Sequence, residues 1–121
     1  MTVNELVLKL NLTPLVLPDG GREITGCYAG DLLSWVMSRV KAGNLWFTIM
    51  NHMNVLAVAS LADVAAVVLA EGETLGEKEL AVAGERGINV LASGKSVYEL
   101  CVEAGGLNLQ SAARAFGGEN P

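Results

Sequence analysis

From Leu45 onward, short apolar runs alternate three times with helical patterns, and that alternation limits what this chain can fold into. Leu45 to Met50 is apolar, rich in β-formers and of strand length. A small-residue apolar run follows, Val55 to Leu61, and reads as a buried helix. Asp63 to Ala70 is apolar on successive positions, as in a strand covered on both faces. Lys78 to Arg86 is a helix with Leu80 and Ala83 inward, and Gly87 is its left-handed stop. Ile88 to Ala92 is the last strand. Val97, Leu100, Cys101 and Ala104 then keep helical spacing as far as Gly105 and Gly106. Strand, helix, strand, helix, strand, helix implies parallel strands joined by right-handed crossovers. The expected fold is a three-layer α/β/α sandwich with a mostly parallel sheet.

The first third reads less sharply. Thr2 to Glu5 is a capping box, and Val3, Leu6, Val7 and Leu10 follow on one helical face. Leu12 to Leu17 contains Pro14 and reads as an edge segment. Pro18-Asp19-Gly20-Gly21 is a turn, and Arg22 to Tyr28 is a second strand weakened by Gly26. Asp31 is expected to cap the next helix, whose apolar stripe is Leu32, Leu33, Val36, Met37 and Val40, with Gly43 ending it. Two further capping boxes are expected, Thr74 to Glu77 and Ser96 to Glu99. Residues 1–107 read as one domain. Residues 108–121 read as an extension, with Leu109, Ala112, Ala113 and Phe116 at helical spacing and a disordered tail after Gly117.

At 121 residues and 51% hydrophobic, the chain can bury one sizeable core. Its formal charge of −5, with no Lys/Arg cluster, argues against a nucleic-acid partner. No apolar stretch has the length of a membrane span, and no secretory signal is evident, so the expected location is cytoplasmic. One His and two distant Cys fall short of a zinc set, so neither a metal nor a cofactor is expected. Cys27 and Cys101 read as reduced packing residues.

Function is sought where the strand Leu45–Met50 meets the next helix. In open α/β sheets, ligands bind beyond the carboxyl ends of the strands, and a helix N-terminus there offers unpaired N–H groups. Thr48, Asn51, His52 (the only His) and Asn54 are the polar side chains at that junction, with Asp31 at the neighbouring strand end. His52 can be read as a general base oriented by Asp31, a ligand contact, or a polar residue satisfied within the protein. Ser93-Gly94-Lys95-Ser96 sits where a phosphate loop belongs, but the Gly needed five residues before Gly94 is Asn89. It reads as a turn with an N-cap. Trp35 lies outside the apolar stripe, beside Ser38 and Arg39. It is either a contact for a partner chain or a ring lying on its own surface.

Three blocks resemble the DRTGG domain family: Gly21 to Tyr28, then Asp31 to Ser34 with Val36-Met37, then Leu45 to Ile49 continuing through His52-Met53-Asn54 to Val58-Ala59. The resemblance covers about Thr2 to Leu107. It implies a fold like the N-terminal domain of HPr kinase/phosphorylase. It also implies a non-catalytic, homodimeric module, of the kind found beside nucleotide-sensing CBS modules in regulated pyrophosphatases. Two positions depart from the family pattern: Gly21 replaces its Asp and Cys27 its second Gly. The expected function is therefore a regulatory or interaction module. Its ligand would be a small anionic or nucleotide-like molecule held by Asp31, Thr48, Asn51, His52 and Asn54. Trp35 and Phe116 would face a protein partner. The alternatives are an enzyme of phosphate or acyl chemistry using His52 with Asp31, and a structural subunit of a larger complex.

Overall fold

The computed structural model describes residues 1–112. In chain order the elements are α1 (Val3–Lys9), β1 (Thr13–Val16), β2 (Gly26–Ala29), α2 (Leu33–Arg39) and β3 (Asn44–Thr48). They continue with α3 (Met53–Ala62), β4 (Ala66–Leu69), α4 (Glu77–Glu85), β5 (Val90–Ala92) and α5 (Val97–Gly106). The five strands form one sheet in the order β1-β5-β4-β3-β2. β2, β3, β4 and β5 run parallel, and β1 closes the far edge antiparallel to β5.

Helices cover both faces, giving the expected three-layer α/β sandwich. The strand period of two sorts side chains between the layers. Leu45, Phe47, Val68 and Leu91 pack against α1 and α5 through Leu6 and Leu100. Trp46, Val67, Leu69 and Val90 pack the other way, against Val36 of α2, Val55 and Leu56 of α3, and Ala83 of α4. All of β4 is buried, which is why its sequence is apolar at every position. Trp46 is fully buried, and its indole N–H donates to the Gly30 carbonyl at 2.9 Å, so no polar atom is stranded.

Several local expectations give way to longer-range partners. Asp63 does not open β4. It is the left-handed C-cap of α3, at φ 58°. Arg22 is not in a strand either. Its guanidinium donates to the Asp63 carboxylate and to the Asp63 carbonyl, both at 3.0 Å, and so closes the α3 C-terminus. Gly43 lies beyond the end of α2, in the turn before β3, at φ 82°. Thr25 donates to Ala42 O at 2.7 Å and packs where a Cβ on Gly43 would sit. In the α2 stripe Val36 and Val40 are buried, but Leu32 is 62% exposed and precedes the helix as its N-cap. Leu61, read as buried, is 77% exposed.

The segment after α5 also departs from expectation. Leu109 and Ala112 are not helical. Residues 110–112 pass beside β2, where Ser111 forms a single parallel bridge with Cys27. The Cys27 N–H donates to Gln110 O at 2.8 Å, and the Ala112 N–H donates to Cys27 O at 2.7 Å. Gly26 permits this approach, because a Cβ there would lie 2.9 Å from Gln110 O. Ala113 and Phe116 lie outside the described residues.

Candidate functional site

Three of the five residues expected at the junction are tied into the protein; two stand open. Thr48 ends β3 and is fully buried. Its hydroxyl donates to Asp31 Oδ1 at 2.7 Å and accepts from the Met50 N–H at 3.1 Å. Asp31 follows the end of β2. Its Oδ1 also accepts from the Ile49 N–H at 2.9 Å. The expected cap on α2 is therefore absent: Leu32 occupies the N-cap, with no side-chain hydrogen bond. The Asp31 carboxylate clamps the loop after β3 instead, accepting from the Thr48 hydroxyl and the Ile49 N–H.

Asn51 donates to Glu73 Oε1 at 2.7 Å, which bridges the β3–α3 and β4–α4 loops. Glu73 was not singled out from the sequence. The signal for it is the adjacent Glu71-Gly72 pair, which takes φ 60° and 76° in a tight turn closed by the Glu73 N–H on Ala70 O. That turn aims Glu73 back over the strand ends.

His52 and Asn54 are exposed, and no hydrogen bond or ion pair of either side chain is seen among the described residues. His52 is the N-cap of α3, in extended backbone at φ −130° and ψ 173°, with no side-chain cap bond. The ten-residue α3 thus begins with its first-turn N–H groups uncapped by a side chain. The enzyme alternative requires His52 to be oriented by Asp31. Among the described residues no hydrogen bond or ion pair joins the two.

The Ser93–Ser96 turn has the opposite character. Ser96 and Glu99 form the expected capping box on α5. Lys95 Nζ donates to both Glu103 carboxylate oxygens, at 2.8 and 2.7 Å. After β2, β3 and β4 the chain passes into the α2–α3–α4 layer, and after β5 into the α1–α5 layer. The topological switch therefore falls between β4 and β5, where doubly wound folds open a crevice. Here it is stitched together: the Glu71 N–H donates to Lys95 O and the Gly72 N–H to Ser93 O, both at 2.9 Å.

The other expected capping box, at Thr74, is also absent. Gly76 is the N-cap of α4, and the Thr74 hydroxyl turns to the Leu75 carbonyl at 3.4 Å. On the surface, Trp35 is 54% exposed, and the Arg39 guanidinium stacks 3.7 Å from its ring centre. The ring thus lies against its own helix on one side and faces solvent on the other.

Two concavities lie away from the junction. One, of about 390 Å³, opens at the amino ends of β2 and β3 beside Thr25, Gly26, Lys41 and Asn44. It adjoins the Gly21–Tyr28 block, which is therefore at the opposite end of the sheet from His52. The other, of about 360 Å³, lies between β2, α5 and residues 109–111, with both cysteines on its wall. Burial pushes the Cys27 thiol up to about 12, with the neighbouring Cys101 adding to the rise. Burial also raises Cys101. Both thiols are thus protonated and uncharged at neutral pH. Among the described residues no group of three or more His, Cys, Asp or Glu is placed to hold a metal ion. No helix among them is long and apolar enough to cross a membrane.

No family model matches the chain, and no curated protein matches it. Among solved structures, it is similar to the CBS and DRTGG domains of the regulatory region of Clostridium perfringens pyrophosphatase, complexed with the activator diadenosine tetraphosphate. The TM-score is 0.61 at 9% sequence identity. The match covers 81% of this chain, which spans 43% of that one. A likeness at such low identity is one of architecture. The chain has a DRTGG-like α/β fold, similar to part of a pyrophosphatase regulatory region.

Proposed function

We propose that this chain is a non-catalytic regulatory module of DRTGG type. Its ligand is a small anionic or nucleotide-like molecule received at the β3–α3 junction. The observation that carries the reading is the α3 N-terminus. It lacks a side-chain cap, carries exposed His52 and Asn54, and sits on a loop that Asp31, Thr48 and Asn51 hold in place. In this reading Asp31 and Thr48 position the loop, Asn51 sets its spacing from Glu73, and His52 and Asn54 contact the ligand. The fold supports it too, since the similar pyrophosphatase region was solved with a nucleotide activator.

The test is a thermal-shift and calorimetric screen of nucleotides, dinucleotides including diadenosine tetraphosphate, and phosphorylated metabolites. A ligand at ~100 times its dissociation constant adds about 2.7 kcal/mol to stability. The expected result is a shift in the wild type that His52→Ala removes. A shift that survives the substitution moves the site elsewhere, and silence across the panel overturns the ligand reading.

A second reading concerns assembly. Trp35 and Leu32 stand three residues apart and are both exposed, which supports a contact with a second copy of the chain. Light scattering of the wild type against Trp35→Ala tests it. A dimer lost in the variant supports the contact, and a monomeric wild type removes it.

A further inference from the structure

Cys27 and Cys101 play no part in the junction site. They lie far apart in sequence, on β2 and α5, yet both pack on the same side of the sheet, against the core cluster that contains Leu45 and Leu100. β2 and α5 are in direct contact. Both thiols stand on the wall of one cavity of about 360 Å³. Each is free and only partly buried, so a small reagent can reach it. They are also near enough for the charge of Cys101 to act on Cys27.

We propose that Cys27 and Cys101 are a redox pair, which a disulfide oxidant such as glutathione disulfide links to each other across the cavity. The step is two successive thiol–disulfide exchanges. The thiolate of one cysteine attacks a glutathione sulfur, forming a mixed disulfide and releasing one glutathione. The thiolate of the other cysteine then attacks the protein sulfur of that mixed disulfide and releases the second glutathione. Two S–H bonds are lost and one S–S bond is gained in the protein, while two electrons and two protons leave on two glutathione thiols. The second exchange outruns attack by outside thiols because both sulfurs already share one space. It also expels a charged glutathionyl group from a partly buried position. Burial holds both thiols protonated at neutral pH, so the first exchange is slow and needs excess oxidant. The new bond would tie α5 to the residue whose backbone holds Gln110 and Ala112. Oxidation would therefore fasten the anchor of the segment that follows α5.

The test incubates the full native chain with excess glutathione disulfide. Remaining thiols are blocked with N-ethylmaleimide, and intact and peptide masses are read. We expect a monomer lighter by about 2 Da, with no maleimide adduct and a peptide pair joining Cys27 to Cys101. Dithiothreitol should restore both thiols. His52→Ala should oxidise like the wild type, which separates this pair from the junction. Unreacted thiols, retained glutathionyl groups or disulfide-linked dimers would each overturn the proposal. So would a bridge that forms only in urea, since the fold would then not be what brings the sulfurs together.

Discussion

Two turns at the same end of the sheet, each leading from a parallel strand into a ten-residue helix, are finished in opposite ways. At Ser96 everything is closed internally. The serine and Glu99 cap α5 reciprocally, and Lys95 meets the carboxylate of Glu103. At His52 the loop is braced from behind by Asp31 and Thr48, but the helix start has no side-chain cap. The Ser93–Ser96 turn has the more suggestive sequence, with a Gly-Lys-Ser reminiscent of phosphate loops, yet its polar groups are already engaged. The lesson is that a motif indicates a site only when its donors and charges remain open to a ligand.

Substitutions can break this contrast. The largest effect is expected from Thr48→Val, which keeps the shape but leaves the Met50 N–H and the Asp31 carboxylate each short of a partner. It should destabilise by about 1–3 kcal/mol in denaturant unfolding and blunt any ligand response. Ser96→Ala should cost about 1 kcal/mol by removing the α5 cap. His52→Ser should do the reverse. It supplies the missing cap on α3, raising stability by about 0.5–1 kcal/mol while abolishing the proposed ligand response. A variant that gains stability and keeps the response would refute a role for His52.

Acid sharpens the same comparison. Hydrogen bonds from the Ser96 backbone and hydroxyl hold the Glu99 carboxyl below its ordinary range. A carboxyl depressed in the folded state contributes stability at neutral pH, and that contribution is lost as pH falls through its folded value. The protection of amides at the start of α5, taken relative to their intrinsic exchange rates, should therefore fall in acid, and Glu99→Gln should remove that acid dependence. The smallest effect is expected from Lys95→Ala. Its ion pair is partly exposed, so unfolding should change by less than about 1 kcal/mol.

How much of this was legible in the sequence follows from the range of each interaction. The boxes at Thr2 and Ser96 form as read because both partners lie within one turn. The three-layer fold was legible because apolar periodicity is repeated over several elements. Asp31 was placed correctly at a strand end, but the α2 cap expected of it is absent, since its donors, Thr48 and Ile49, are brought to it by β2–β3 pairing. Leu109 and Ala112 have helical spacing, yet the Leu109 N–H turns back to Ala104 O at the end of α5, and the Ala112 N–H bonds Cys27 O on the open edge of β2. Neither Glu73 nor the thiol-lined cavity was legible. Both require loops or helices distant in sequence to converge, and no local pattern encodes that convergence.

The pairing of residues 110–112 with β2 has a consequence for how the molecule is made. β2 leaves the ribosome well before the stretch that bonds its outer edge, which follows every strand and helix among the described residues. At roughly 5–20 residues per second, that edge stays unpaired for several seconds of synthesis. Through that interval the edge at Gly26, whose bare backbone later admits Gln110, is open to a strand from a neighbouring nascent chain. The safety of the nascent sheet then rests on the shortness of β2 and on how promptly its last neighbour arrives.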